Sequence, residues 1–166
     1  EELLAALTAA GITSGSIGIV NVNPSTASTV AREAGFREAF AGKGFTILPT
    51  QYGEGDPARS QEIASNYITQ GVVGIFGANE GSTVGTGNAI REAGGKVIGI
   101  VFDTGGSVLD QIDQVILIGT MAQNPKSMGS LGVQNAYTDS TGGTIAQKNV
   151  DSGATVVTKQ NVASFR

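Results

Sequence analysis

The stretch Val72-Val-Gly-Ile-Phe-Gly-Ala-Asn79 decides the fold class, because it is a short apolar run that ends in a polar amide. Three other runs of the same kind occur along the chain: Ile17–Asn23, Val97–Asp103 and Ile116–Gln123. Segments with helical spacing lie between these runs, and apolar strands that alternate with helices indicate a parallel sheet covered on both faces. We therefore predict an α/β fold: a three-layer sandwich of the flavodoxin-like or Rossmann-like kind, with a mostly parallel sheet of five or six strands.

The polar residues near the strand ends predict where a ligand binds. Ligands of open parallel sheets sit beyond the carboxyl ends of the strands. Four candidates for that edge are Arg32, in the helix after the first strand, and Asn79, Asp103 and Gln123, each at a strand end. A carboxylate, two amides and a guanidinium can satisfy the paired hydroxyls of a sugar through charge-assisted hydrogen bonds. The pattern indicates binding of a neutral, hydroxyl-rich ligand and no reaction.

Each of these side chains also has a simpler structural role. Arg32 could pair with Glu33 or Glu38 on its own helix, and Asn79 could cap the helix that follows it. Asp103 could cap the next helix in the same way. The recurrence of such residues at successive strand ends of one sheet favours a shared binding site.

Composition excludes several classes of function. The chain has 166 residues, enough for one domain with a core, and a net charge of −4 with a pI of about 4.7. Its ten basic residues are scattered, which argues against nucleic acid as a partner. Cysteine and histidine are both absent, so we predict a non-catalytic protein with no cofactor and no metal. No apolar stretch has the length of a membrane span.

One glycine motif needs a structural interpretation. Gly85-Thr-Gly-Asn-Ala-Ile90 resembles the start of a dinucleotide fingerprint, but its third glycine is missing and it falls inside a predicted helix. We expect these glycines to let that helix pack close to the sheet.

The two ends of the chain differ from its middle. Glu1-Glu2-Leu3-Leu4-Ala5-Ala6-Leu7 has the spacing of a helix interior and lacks the features of a signal peptide. We therefore expect a processed or truncated chain. Residues 1–123 form the predicted α/β lobe, and residues 124–166 add a helix at Lys126–Tyr137 and a short strand at Ala154–Thr158.

The order of several segments resembles the second lobe of a type I periplasmic sugar-binding protein of the ribose-binding kind, the receptor of an ABC importer. The resemblance covers nearly the whole chain. The segments that carry it are Gly18–Pro24, Val30–Phe36, Gly74–Ser82, Phe102–Asp103, Thr120–Gly129 and Gly153–Val162.

The resemblance implies a function and a set of contacts. It implies a sugar or polyol as ligand, the membrane subunits of an ABC importer as partners of the full-length receptor, and a periplasmic or extracellular location. By motif position it implies ligand contacts at Arg32, Asn79, Asp103 and Gln123. It also implies that Phe102 forms a wall of the pocket, and it makes Ser28 a lesser contact.

The resemblance also implies that residues 124–166 form a hinge-crossing tail. Here the first lobe is absent from the sequence, so we expect the tail to pack on its own lobe or to exchange with another copy in a homodimer. An isolated lobe encloses little of a sugar, and we expect its affinity to be weak.

Three alternatives stay open. The chain could be the effector-binding lobe of a lac-repressor-type transcription regulator. It could be a stand-alone half-receptor or engineered module whose main property is self-association. It could also be an enzyme acting on a nucleotide or phosphosugar with Asp103 or Glu80 as general base.

Overall fold

A computed structural model describes all residues, 1–166, as one sheet with helices on both faces. In chain order the elements are α1 (Glu2–Ala9), β1 (Gly15–Asn21), α2 (Ala27–Phe40), β2 (Phe45–Ile47), β3 (Gln51–Tyr52), α3 (Pro57–Thr69), β4 (Gly74–Gly77), α4 (Glu80–Glu92), β5 (Ile98–Phe102), α5 (Gly106–Asp113), β6 (Gly119–Gln123), α6 (Pro125–Ser140), β7 (Ala154–Thr158) and a 3₁₀ helix (Val162–Phe165). The strand order is β2-β1-β4-β5-β6-β7, with β3 also beside β1. Only the β6–β7 pair is antiparallel. The predicted three-layer α/β fold is confirmed.

The sheet has seven strands in six positions, because two short strands share one place beside β1. β2 and β3 are separated by a segment that contains Pro49, which has no N–H to donate to a neighbouring strand. The carbonyl of Pro49 accepts a hydrogen bond from the hydroxyl of Tyr67 on α3 at 2.6 Å. Burial raises the pKa of this Tyr67 hydroxyl to about 12, so it stays a donor at neutral pH.

Alternation along the central strands builds two cores, one on each face. Ile75 and Val101 point to the side covered by α3, α4 and α5, whereas Phe76 and Ile100 point to the side covered by α1 and α2. On the second side, Phe76 stacks on Phe36 with ring centroids 4.5 Å apart. Full burial of each such apolar side chain contributes about 1.5–3 kcal/mol.

The glycines of the Gly85–Ile90 motif face neighbouring helices, so the expectation that they let α4 pack close to the sheet is wrong. A Cβ at Gly85 would lie 2.5 Å from the Pro57 carbonyl oxygen and 2.6 Å from the Gln61 nitrogen. A Cβ at Gly81 would lie even closer to the Gly55 carbonyl. The motif therefore lies at helix–helix contacts: Gly85 leaves room for the α3 backbone, and Gly87 faces the Gln111 side chain of α5.

The connection between α5 and β6 explains why β6 is shorter than its apolar run. The Ile116 N–H donates to the Gln111 carbonyl at 2.8 Å and so belongs to the end of α5. Val115 has φ of +59° in the left-handed region, where this turn would favour glycine. Ladder pairing starts only at Gly119.

The last part of the chain contains one packed and one unpacked element. β7 covers the predicted range and pairs antiparallel with β6 along its whole length. α6 forms where a helix is predicted, but none of its residues is buried. None of the helices combines the length and the hydropathy that crossing a bilayer would require.

Candidate functional site

Arg32 reaches across the ends of β4 and β5 from the second turn of α2. Its Nη1 donates to the Ala78 carbonyl at 2.8 Å, and its guanidinium carbon lies 3.7 Å from the centroid of the Phe102 ring. The same nitrogen is 3.8 Å from Asp103 Oδ2. Burial lowers the pKa of Arg32 and the Asp103 carboxylate offsets only part of this shift, but an arginine side chain stays charged in proteins. Arg32, Phe102 and Asp103 thus form one contact group.

Asp103 is the centre of this group, because three elements converge on its carboxylate. Oδ2 accepts from the backbone N–H of Glu80 at 3.1 Å, and Oδ1 accepts from Gln123 Nε2 at 2.5 Å. Its backbone has φ of +75°, an uncommon conformation for a residue other than glycine. The strand ends of β5 and β6 and the start of α4 therefore meet at one side chain.

Two buried threonines hold the backbone of this group in place. The hydroxyl of Thr83 donates to the Phe102 carbonyl at 2.8 Å and accepts from the Phe102 N–H at 3.2 Å. The hydroxyl of Thr120 donates to the Asp103 carbonyl at 2.7 Å. Sequence reasoning did not identify these two residues. Each places a hydroxyl in a fully buried position among apolar residues.

Two of the structural roles considered for these residues are wrong. Arg32 pairs with neither Glu33 nor Glu38, because Glu33 is bonded to Arg37 at 2.8 Å on the other side of α2. Asp103 does not cap α5, which begins after Gly105 with no side-chain cap. Both residues turn toward the strand ends instead.

Asn79 caps α4, as one interpretation of the sequence expects. Its Oδ1 accepts from the Ser82 N–H at 3.2 Å and from the Ser82 hydroxyl at 2.5 Å. The Nδ2 group makes no hydrogen bond within the chain, so it is a free donor at the end of β4. Ser28 lies exposed in the first turn of α2, and no hydrogen bond joins it to the other candidates.

The amide at the end of β1 is structural. Asn21 is fully buried, and its Nδ2 donates to Glu33 Oε2 at 2.8 Å and to the Thr29 carbonyl at 3.3 Å. Partial burial alone would raise the pKa of Glu33, but hydrogen bonds from Thr50, Asn21 and Arg37 outweigh it and lower the pKa. This network holds α2 on β1 and fixes the helix from which Arg32 projects.

The five residues Arg32, Asn79, Phe102, Asp103 and Gln123, called the rim below, combine donors and acceptors around one ion pair. The carboxylate accepts hydrogen bonds, whereas the guanidinium and the amides donate them. A groove of about 410 Å³ opens beside Asp103 and Gln123 and extends to Met128. Such an arrangement suits a neutral ligand with several hydroxyl groups, because the charges of Arg32 and Asp103 offset each other.

An α/β lobe with an open groove and a polar rim at its strand ends is the architecture of a solute-binding lobe. The chain belongs to the periplasmic binding protein family. The family described as "Periplasmic binding protein domain" matches residues 1–144. The resemblance found in the sequence is therefore confirmed.

Three relatives show how the chain compares with longer proteins. It is 27% identical over 113 residues to the ribose import binding protein of Haemophilus influenzae, covering 67% of this chain and 39% of the relative. An ABC transporter solute-binding protein of Agrobacterium vitis, solved with α-D-tagatopyranose, superposes with a TM-score of 0.89 at 31% identity. The match covers 99% of this chain and 58% of that protein.

A carbohydrate transporter solute-binding protein of Agrobacterium radiobacter, solved with D-arabinose, gives the same TM-score of 0.89 and 31% identity. That match covers 97% of this chain and 57% of the protein. The chain thus spans well under two thirds of the length of these relatives, and it corresponds to a partial, single-lobe unit of the family.

Proposed function

We propose that this chain is the sugar-binding lobe of an ABC-importer receptor and that it performs no catalysis. The observation that carries the proposal is the convergence of Arg32, Phe102 and Gln123 on Asp103 at the strand ends. Two relatives that share the fold over nearly the whole chain were solved with monosaccharides, which supports the same ligand class here.

In this proposal the rim residues contact the sugar directly. A ring hydroxyl donates to the Asp103 carboxylate, and neighbouring oxygens accept from Arg32, Asn79 Nδ2 and Gln123. Phe102 forms a wall of the site; Ser28 is a lesser contact at its edge. Because one lobe leaves most of a sugar in water, the expected affinity is weak, in the millimolar range or poorer.

The same family membership supports a proposed cellular setting. In the full-length receptor the expected location is the periplasm or the cell exterior, and the expected partners are the membrane subunits of an importer. Receptors of this type bind their solute by closing two lobes around it. An enzyme of this fold would need a general base with a positioned partner, whereas in this proposal Asp103 serves as a hydrogen-bond acceptor for the sugar.

The test is a titration of the ¹⁵N-labelled chain with a panel of pentoses and hexoses. We expect shifts confined to the rim amides, with saturation at millimolar concentrations. Asp103→Asn should abolish these shifts, because the amide cannot bond to Arg32 and Gln123 in the same way. Asp139→Asn, on the exposed last turn of α6, serves as the matched control and should leave the titration unchanged.

Two outcomes count against the proposal. Shifts that appear elsewhere on the lobe, or that survive Asp103→Asn, would place the ligand away from the rim. Micromolar affinity would contradict the weak binding expected of one lobe.

We also propose that the chain associates with a second copy of itself. The support is residues 124–166: β7 completes the lobe, whereas α6 has no buried residue in the monomer. In this proposal α6 is stabilised by its contacts with the second copy.

A further inference from the structure

Glu33, next to Arg32 on α2, is a half-buried carboxylate that the proposed sugar contacts do not use. Its Oε2 accepts from Asn21 Nδ2 on β1 at 2.8 Å. Its Oε1 accepts from Arg37 Nε at 2.8 Å and from the Thr50 hydroxyl, between β2 and β3, at 2.6 Å. Arg37 Nη2 also donates to the Thr50 hydroxyl at 2.8 Å. We call Asn21, Glu33, Arg37 and Thr50 the Glu33 clasp.

The Glu33 clasp requires a group that only accepts hydrogen bonds. An ionised carboxylate is such a group, and all three partners of Glu33 donate to it. A glutamine of the same size would turn its NH₂ group toward the Asn21 amide in one orientation and toward Arg37 Nε in the other. Only 16% of the Glu33 side chain is exposed, so water cannot readily replace a lost partner.

The segment between β2 and β3 is held from both faces of the sheet. On the α2 face, the Thr50 hydroxyl belongs to the Glu33 clasp. On the α3 face, the Tyr67 hydroxyl donates to the Pro49 carbonyl at 2.6 Å. Because β3 follows directly after Thr50, the clasp also fixes the position of this strand beside β1.

The loop after β3 continues from this anchored segment to the rim. The Glu54 N–H donates to the Val22 carbonyl at 2.9 Å, and the Gly55 carbonyl packs against Gly81 at the start of α4. A Cβ at Gly55 would lie 3.7 Å from Asn79 Nδ2, the free donor of the rim. The Glu33 clasp therefore holds the helix that carries Arg32 on one side and, through Thr50, the strand that leads to Asn79 on the other.

We infer that Glu33 is a positioning residue of the sugar site, because its carboxylate ties the helix that carries Arg32 to the strand and loop that border Asn79. The inference rests on the proposed function and adds a residue that does not touch the sugar. Without the clasp, α2 and the loop gain freedom to move against the sheet. Their two rim donors then have to be ordered when a ligand binds, and this ordering lowers the affinity. A purely structural residue would change the stability of the lobe but not the sugar affinity.

The first test examines Arg32 by NMR in the ligand-free chain. In the wild type the guanidinium lies over the Phe102 ring, so the ring current shifts the Arg32 side-chain resonances and NOEs join the two side chains. Glu33→Gln should weaken these NOEs and move the resonances toward those of a solvent-exposed arginine. Glu38→Gln is the matched control without effect, because it removes the same charge from an exposed, unpaired position of the same helix.

The second test repeats the sugar titration with these variants at a temperature where urea denaturation shows them to be folded. We expect Glu33→Gln to weaken the affinity about tenfold, a difference of about 1.4 kcal/mol in binding free energy. Glu38→Gln should titrate like the wild type. Thr50→Val leaves Glu33 ionised and removes one hydroxyl of the clasp, and it should weaken the affinity by about threefold. This variant also provides the test if Glu33→Gln does not fold.

A double variant tests whether hydrogen-bond polarity is what Glu33 supplies. Asn21→Asp alone places two carboxylates against each other and should weaken binding. Combined with Glu33→Gln it exchanges the amide and the carboxylate, so the new glutamine donates to the new aspartate and still accepts from Arg37 or Thr50. The exchange loses the long 3.3 Å bond from residue 21 to the Thr29 carbonyl. We expect the pair to recover most of the Arg32 signature and of the sugar affinity.

The outcomes separate this inference from the proposed function. A wild type that binds sugar at the rim, with a Glu33→Gln chain that binds equally well, would overturn the inference alone. Lower stability with an unchanged Arg32 signature would overturn it too, as would an exchange pair that recovers nothing. A wild type without sugar-induced shifts would overturn the proposed function and the sugar role of Glu33 with it. In that case the ligand-free spectra still show whether the clasp holds Arg32.

Discussion

The rim and α6 adjoin at Gln123 but are held in opposite ways. Asp103 and Arg32 are half-buried and are held by the Ala78 carbonyl, the Glu80 N–H and the Thr120 hydroxyl. α6 begins two residues after Gln123, and not one of its sixteen residues is buried. The rim residues are therefore held by contacts within the lobe, whereas no residue of α6 is buried by the lobe.

This difference has a functional meaning for the rim. Side chains that are already fixed lose little conformational entropy when a ligand binds. Arg32 is stacked on Phe102 and bonded to Ala78 before any sugar arrives. A weak affinity of the single lobe would therefore reflect incomplete enclosure of the ligand and not disorder of the site.

The largest expected effect contrasts an aromatic residue of the core with one of α6. Phe76→Ala removes a ring that is only 5% exposed and stacked on Phe36, and should lower the free energy of unfolding by about 3–5 kcal/mol. Tyr137→Ala should change it by less than about 0.5 kcal/mol in the monomer. Urea denaturation at low protein concentration measures both, and equal effects would mean that α6 packs on the lobe.

A smaller effect is expected from the hydroxyl that supports the rim. Thr120→Val removes the donor to the Asp103 carbonyl in a fully buried position and should cost about 1–3 kcal/mol. Thr138→Val on α6 removes a hydroxyl that only bonds its own helix at Gln134, and should be close to neutral. Urea denaturation separates the two, and a neutral Thr120→Val would show that the Asp103 backbone is held by other contacts.

The smallest effect has the opposite sign. Val115→Gly relieves a left-handed conformation that costs an L-residue about 1–2 kcal/mol, and glycine returns roughly half of that as unfolded-chain entropy. A stabilisation of up to about 1 kcal/mol is expected in thermal unfolding. The same change at Val133, inside a helix, should instead reduce the helicity of α6 seen by circular dichroism. Destabilisation by Val115→Gly would indicate that its exposed side chain contributes packing.

Much of the lobe could be predicted from local patterns. The apolar runs that end in polar residues overlap the strands β1, β4, β5 and β6, and Asn79 caps its helix as one interpretation of the sequence expects. The rim could be predicted only in part. Sequence order cannot show whether Arg32 turns toward the glutamates of α2 or toward β4 and β5, because both lie within reach of a long side chain.

The sequence by itself determined the alternation of strands and helices, the polar residues at the strand ends, and the existence of α6. These properties follow from periodicity and residue chemistry, which act over a few neighbouring positions. Only the tertiary structure decided that Asn21 is buried, that Thr83 and Thr120 fix the backbone of Phe102 and Asp103, and that no residue of α6 is buried. Those outcomes depend on contacts between groups that are distant along the chain, which local patterns do not reveal.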